Sequence, residues 1–539
     1  MKHTHYLSLV ILLFFAACTA VKTESKKEQA VNETASASSQ KLNVLFIAID
    51  DLKPTLGAYG DTYAITPNLD KFSENATVFN NNQCQWAVCG PSRASLMTGK
   101  RPDYTKVRDL KTRMRDVNPN ILSIPQYFKQ QGYYTLGNGK IYDPRCVDKG
   151  ADTPSWSEPF HKVGNLKYPV AFGEPTFGYY QDPKIKAKIK ALIKEGEAKG
   201  VKKPQKYARN KYKPPFESTV GVPDEAYTDG AIRVEGLQML DKVSQNPNQP
   251  FFLAIGFKRP HLPFVAPKKY WDMYDTSKIP YAKFQHKAAN DVDMAYHQSN
   301  ELQSYKDPEN IEYTINEEDL LSVDKNIQEK LIQGYYACTS FVDVQVGKVL
   351  DKLKEKGLDK NTVVVIWGDH GWHLGDHSLW NKHSNFEQAT RSPMMIYSPN
   401  SKKPIKVNSP TEFVDMFPTL CELAGIPVPE NLDGTSLASL VKGQTKSVKK
   451  VAVTQISRGK KMGYSFRSNQ YRYTVWLKDN LLSTTKVTPN DIYAEELFDY
   501  KNDPLETVNF ANDAAYTAIK ANIQKQAMLF FAKEYQKSH

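Results

Sequence analysis

Val44-Leu45-Phe46-Ile47-Ala48-Ile49-Asp50-Asp51 is an unbroken apolar run that ends on two carboxylates. A short run of this kind, with no polar face, is the pattern of a strand buried on both sides. The same design recurs along the chain. Tyr133 to Gly137 leads to Lys140, and Phe251-Phe252-Leu253-Ala254-Ile255-Gly256-Phe257 leads to Lys258, Arg259 and His261. Thr362-Val363-Val364-Val365-Ile366-Trp367 leads to Asp369-His370. Helical patterns separate these runs, which predicts a mainly parallel sheet flanked by helices, an α/β fold. Each run has its polar cluster just past its carboxyl end, where open α/β sheets build their sites.

Other segments complete the expected architecture. Asn326 to Leu358 reads as a long helix, with Leu331, Tyr335, Cys338 and Val342 on its apolar stripe. Beyond residue 440 the pattern changes to short antiparallel strands at Val451–Thr454, Tyr464–Arg467 and Tyr471–Trp476, with Ser468-Asn469-Gln470 as a turn. A final helix is expected over roughly Ala514–Tyr535. At 539 residues and 40% hydrophobic, the chain is long enough for one large domain with a smaller one attached.

The N-terminus reads as an export signal. A short basic start, Met1-Lys2-His3, precedes an apolar run from Leu7 to Ala17 that is too short to span a bilayer. The run closes on Phe15-Ala16-Ala17-Cys18, similar to a bacterial lipoprotein box, so Cys18 is the expected lipidation site. Thr19 to Gln40, without an aromatic residue, reads as a disordered tether. The expected product is exported, periplasmic or at the cell surface, and held to a membrane by its lipid. Cys84, Cys146, Cys338 and Cys421 are widely spaced with no CxxC pair, which argues for lone buried thiols over a disulfide framework. The net charge of +12 is concentrated between Lys184 and Lys213. That stretch is either a basic rim for a polyanion or a solvated helical insertion. An exported chain without a nucleic-acid motif is not expected to bind nucleic acid.

Cys89-Gly90-Pro91-Ser92-Arg93, continued by Ala94-Ser95-Leu96-Met97-Thr98-Gly99-Lys100-Arg101, is the most specific motif in the chain. Pro91 suits the first turn of a helix, and the thiol just before it would face free backbone N–H groups. The pattern resembles the signature of type I sulfatases, whose cysteine is oxidised to formylglycine (3-oxoalanine) by a maturating enzyme. Four further blocks are similar to that family, and most of all to its iduronate-2-sulfatase branch. They are Asn43–Asp61, Phe252–Phe264 (FLAIGFKRPHLPF), Gly368–Asn385 (GDHGWHLGDHSLWNKHSN) and Met462–Trp476 (MGYSFRSNQYRYTVW).

The resemblance implies an alkaline-phosphatase-like sandwich with a C-terminal α+β subdomain. Its expected segments are the signal at 1–18, the tether at 19–40, a catalytic domain at 41–440 and the subdomain at 441–539. It implies sulfate ester hydrolysis on a carbohydrate, with Cys89 as nucleophile precursor and Arg93 as its support. Asp50, Asp51, Cys89, Asp369 and His370 would hold one divalent cation, with calcium suited to the hard carboxylate oxygens. Lys140 and Lys382 would contact sulfate, and His261 would protonate the leaving oxygen. Lys53, Trp372 and His373 would shape the sugar pocket.

One position departs from the family. Its Gly-Lys-x-x-His-Pro block is here Gly139-Lys140-Ile141-Tyr142-Asp143-Pro144. Asp143 either replaces the histidine as the base that releases sulfate or is a structural aspartate before proline. The sulfated substrate would be a uronic-acid-containing algal glycan or a glycosaminoglycan. The alternatives are a phosphonate or phosphodiester hydrolase of the same superfamily and an inactive glycan-binding lipoprotein.

Overall fold

Strand β1 (Asn43–Ile49) is buried at every position, and its alternating side chains feed two separate cores. Val44, Phe46 and Ala48 enter one, while Leu45, Ile47 and Ile49 enter the other. The computed structural model describes residues 41–401, 404–478 and 486–538. The expected signal, tether and Cys18 lie outside the described residues.

Six more strands join β1: β2 (Thr77–Phe79), β3 (Tyr134–Gly139), β4 (Phe251–Phe257), β5 (Thr362–Gly368), β6 (Met394–Tyr397) and β7 (Ile405–Val407). Their order is β7-β2-β6-β5-β1-β4-β3. Every pairing is parallel except the two made by β6. The register aligns the carboxyl ends, with Ile49 opposite both Gly368 and Phe257 and Gly139 opposite Gly256. Asp50, Lys140, Lys258 and Asp369 therefore emerge along one edge of the sheet.

Helices cover both faces, as the alternation of runs implied. Cys89–Thr98 and Met416–Ala424 pack on the first core through Leu96, Met97 and Leu420. Thr228–Ser244 and Lys325–Glu355 pack on the second through Ile232, Leu240, Val342 and Val346. Phe46 packs between Phe252 and Trp367, with ring centroids 5.6 and 5.4 Å away. Truncating it to alanine would cost about 3–5 kcal/mol, because so tight a core cannot collapse into the space.

The C-terminal part builds a second sheet from β8 (Ala452–Arg458), β9 (Lys461–Arg467), β10 (Tyr471–Leu477) and β11 (Ile492–Asp499), antiparallel throughout. The Thr517–Ser538 helix covers it through Ala527 and Phe531. Strand β11 was not anticipated, because the adjacent Glu495 and Glu496 break its apolar alternation. Leu42–His539 cluster as one compact unit, so this sheet is packed into the same body as the large one. Cys84, Cys89, Cys146, Cys338 and Cys421 are all buried and unpaired. Among the described residues, no helix is long and apolar enough to cross a membrane.

Candidate active site

The helix beginning at Cys89 points its N-terminus at the aligned strand ends, entered from an extended Val88. The Cys89 thiol lies 3.5 Å from Asp51 Oδ1 and 3.4 Å from His370 Nε2. One turn on, the fully buried Arg93 ties three strands together. Its Nε donates to Asp369 at 2.9 Å and its Nη2 to Asp50 at 2.9 Å, while Nη1 donates to the carbonyls of Lys140 and Ile141. Arg93 thus positions the carboxylates around Cys89.

Two backbone details aim these groups. Asp51 takes a left-handed conformation at φ 59°, costly for a residue with a Cβ. Its N–H donates to Asp369 Oδ1 at 2.8 Å, and its carbonyl accepts from Tyr335 Oη at 2.7 Å. At the end of β3, Gly139 has φ 73°, and a Cβ there would meet the Gly256 carbonyl oxygen at 2.1 Å. Only glycine lets β3 turn here and send Lys140 into the site.

Charge is densely paired around the thiol. Lys140 Nζ lies 2.5 Å from Asp50 Oδ2, and Lys382 Nζ lies 2.8 Å from Asp51 Oδ2 and 2.9 Å from Glu301 Oε1. Burial works against the charged form of Asp50, yet Lys140 and Arg93 hold its carboxyl well below the usual range. Burial likewise opposes ionisation of Asp51, which His261 and Lys382 nonetheless pull down. His261 Nε2 faces Asp51 at 3.8 Å and Glu301 at 3.5 Å, while Nδ1 lies 2.5 Å from the Leu262 carbonyl. With Nδ1–H donated to that carbonyl, Nε2 is the atom turned toward the site. Burial lowers the His261 pKa, partly opposed by Asp51. Burial, then Asp50, raises the Cys89 thiol well above its ordinary value, so as a thiol it stays protonated at neutral pH.

The donor set fits a divalent cation. Oxygen, nitrogen and sulfur atoms of Asp51, Cys89, Asp369 and His370 lie within 4.8 Å of one another, as do those of Asp50, Asp51, Cys89 and His261. Buried carboxylates converging from two strand ends are hard ligands of the type Ca²⁺ takes.

These groups open into a cavity of about 880 Å³. Cys89, Asp50, Lys140, His261 and Lys382 all line it, as do Tyr179, Lys213, Lys258 and Glu301. Lys53, Trp372 and His373, expected in the sugar pocket, do not line it. Lys53 reaches Asp376 at 3.9 Å. Trp372 is buried, stacked on Tyr335 at 6.2 Å and lying under the Lys382 ammonium at 4.8 Å. His373 is fully buried and bonds Ser384 at 2.9 Å. Trp372 and His373 are packed in the interior, and Trp372 lies against the Lys382 ammonium.

Asp143 does line the cavity, but Arg145 clamps its carboxylate with contacts of 2.9 and 2.7 Å. Burial raises its pKa, and the Arg145 hydrogen bond more than reverses this, leaving it at about 2. A carboxylate held so low is a weak proton acceptor at neutral pH, which favours the structural alternative. Of the basic stretch, Lys213 alone among the described lining residues reaches the cavity. The helices Pro183–Ala198 and Pro204–Lys211 and the short link between them carry the rest, where Lys199 and Lys211 pair with Glu195 and Lys188 pairs with Glu309. Glu301, on a four-residue helix, was missed altogether. It bears on Lys382, His261 and His383, yet its surroundings in sequence carry no motif.

A family model described as Sulfatase matches residues 42–426, and one described as N-sulphoglucosamine sulphohydrolase, C-terminal, matches residues 375–532. Iduronate 2-sulfatase of Mus musculus is 30% identical over 94% of this chain and 96% of its own. Among solved structures, a phosphonate monoester hydrolase of Agrobacterium radiobacter aligns with a TM-score of 0.67 at 19% identity, covering 92% of this chain and 96% of that one. A 2-O GAG sulfatase aligns at 0.61 with 22% identity, covering 92% and 93%. At those identities the two structures speak for the shared fold. The family match and the near-full-length relative go further: the chain belongs to the sulfatase family and is a sulfuric ester hydrolase.

Proposed function

We propose that this protein removes sulfate from a sulfated, uronic-acid-containing carbohydrate, using a formylglycine made from Cys89 and a bound calcium ion. The observation that carries this reading is the position of Cys89. It sits at a helix N-terminus against Asp51 and His370, in a cavity whose wall also holds Lys140, His261 and Lys382. A protonated, buried thiol is a poor nucleophile, whereas the same position as formylglycine supplies a hydrated aldehyde, with one hydroxyl to attack sulfur and a second to restore the aldehyde. Asp50, Asp51, Asp369 and His370 would hold a divalent cation, which would supply charge neutralisation and Lewis acidity at the site.

The chain's own residues account for the rest. Lys140 and Lys382 present ammonium groups to sulfate oxygens, and their pairing with Asp50 and Asp51 keeps them charged and aimed. His261, anchored through Nδ1, directs Nε2 toward the ester oxygen, and its imidazolium form, which Asp51 favours, gives the Nε2 proton to that oxygen as it leaves. Arg93 holds Asp50 and Asp369 at fixed separation throughout. The relative named as an iduronate 2-sulfatase supports a uronate 2-sulfate as substrate. The leader and Cys18 support an exported, lipid-anchored enzyme that depends on a formylglycine-generating partner.

Parallel assays of a sulfated uronate disaccharide, an aryl sulfate and an aryl phosphodiester test this. Sulfate release from the disaccharide as the fastest reaction is expected. A higher kcat/KM on the phosphodiester than on either sulfate would sink the reading.

A further inference from the structure

Two lysines in the cavity wall lack the partners that Lys140 and Lys382 have. Lys258, directly after β4, is half-buried and holds its ammonium 4.6 Å from the Tyr179 ring centroid. Lys213, also half-buried, holds its ammonium 3.5 Å from the Tyr305 ring centroid. Both aromatic rings and both lysines line the cavity.

The carboxylate bound to this segment, Asp229, is already engaged. It accepts from the backbone N–H groups of Lys258 at 2.5 Å and Arg259 at 3.1 Å, and it pairs with the Arg259 side chain at 3.6 Å. Among the described residues, no carboxylate stands within ion-pair distance of the Lys258 or Lys213 ammonium, and the Tyr179 hydroxyl has no hydrogen-bond partner. Burial lowers the pKa of both lysines, and Lys258 foremost pulls the Tyr179 phenol down. Asp229 and Glu301 act on these ammoniums only from beyond ion-pair distance, so the positive charge here is incompletely neutralised by the protein. Half-buried cations left in this way favour an anion brought by a ligand.

We propose that Lys258, Lys213 and Tyr179 form a second anion subsite that holds a carboxylate or a further sulfate of the sugar whose sulfate ester lies at Cys89. The two ammoniums and the phenol are all donors, and a carboxylate or sulfate offers several acceptor oxygens to them. The His261 N–H donates to the Lys258 carbonyl at 3.0 Å and both residues line the cavity, so the subsite adjoins the leaving-group side of the reaction. It selects sugars with two negative groups over those with one. This inference rests on the sulfatase reading of Cys89.

The test compares wild type with Lys258→Met and Lys213→Met on four substrates. They are a 2-O-sulfated unsaturated uronate disaccharide, its carboxyl-reduced counterpart, a disulfated glucosamine and 4-nitrophenyl sulfate. The expected result is that the preference for a two-anion over a one-anion substrate falls by about tenfold to a hundredfold in kcat/KM, carried by KM, the scale of a lost charge-assisted hydrogen bond. A loss confined to the carboxylate pair assigns the subsite to uronate, and one confined to the disulfated sugar assigns it to sulfate. Equal losses on all four substrates, or an unchanged preference, would overturn it. Wild type inert toward every sulfate ester defeats the sulfatase reading instead. Binding of the disaccharide and its carboxyl-reduced form to Cys89→Ala, with and without Lys258→Met, then decides the subsite, and an affinity difference that survives Lys258→Met overturns it.

Discussion

Two buried clusters of charge in this molecule are built from the same parts and do opposite things. Beneath the antiparallel sheet, Arg472 donates to Glu506 at 3.0 Å, Tyr500 at 2.7 Å, Ser465 at 3.0 Å and Glu387 at 2.5 Å. Arg467 adds a second contact to Glu387 at 2.9 Å. At the ends of the parallel strands, Arg93 is just as fully engaged by Asp50, Asp369 and two carbonyls. The difference lies in what surrounds the arginine. The Arg472 cluster closes on itself, and none of its members lines the described cavity. The Arg93 cluster continues through Asp50 and Asp51 to Lys140, Lys382, Cys89 and His261, and that side is open. A closed network clamps the C-terminal sheet to the Glu387 segment, whereas an open one exposes fixed charges to a ligand.

The sharpest way to break this contrast is at the open cluster. Cys89→Ala should bring sulfatase activity below detection while disaccharide binding by calorimetry persists. Residual turnover within tenfold of wild type would place the chemistry elsewhere. Asp369→Ala should cost several orders of magnitude in kcat, since it removes both a cation ligand and an Arg93 partner. Exhaustive chelation should mimic it and added Ca²⁺ should reverse it, and full activity in metal-free protein would contradict both.

A smaller and more selective effect is expected at His261. A sugar alcohol needs a proton to leave and nitrophenolate does not, so His261→Ala should lower sugar-sulfate hydrolysis by about 10²–10⁴ and aryl-sulfate hydrolysis far less. Equal losses in kcat/KM on the two substrates would make His261 a positioning residue. At the closed cluster the expectation inverts. Arg472→Met strands Glu506 and leaves Glu387 with Arg467 as its ion-pair partner, and should destabilise the fold by about 3–5 kcal/mol. Thermal unfolding should register this, while kcat per folded molecule changes by only a few-fold. An activity loss as deep as that of Asp369→Ala would erase the distinction between the clusters.

The open cluster was the more legible of the two. Its residues sit at the ends of apolar runs, and a parallel sheet in register brings such ends together, so Asp50, Lys140, His261 and Asp369 could be read as neighbours from pattern alone. Cys89, Arg93 and Lys382 needed the family resemblance, because a Cys-x-Pro step or a loop lysine is common without chemistry. Glu301 was illegible, since it reaches Lys382 from a short helix outside every motif. Lys53, Trp372 and His373 show the opposite failure. Proximity in sequence to site residues suggested a pocket, yet none of the three lines the cavity, and Trp372 instead supports Lys382. In the closed cluster, Arg472 lies inside the family-like Met462–Trp476 block, but its partner Glu506 lies in a loop whose pairing is set by tertiary structure alone.

The most direct measurement is the mass of the proteolytic peptide containing Cys89, taken from protein made alongside a formylglycine-generating enzyme. Conversion exchanges sulfur and two hydrogens for one oxygen, and the aldehyde should be trapped by a hydrazine reagent. The peptide is expected in the converted, trappable form, in a fraction that tracks sulfatase activity across preparations. Fully active protein whose Cys89 peptide retains an unmodified thiol would contradict the proposed nucleophile.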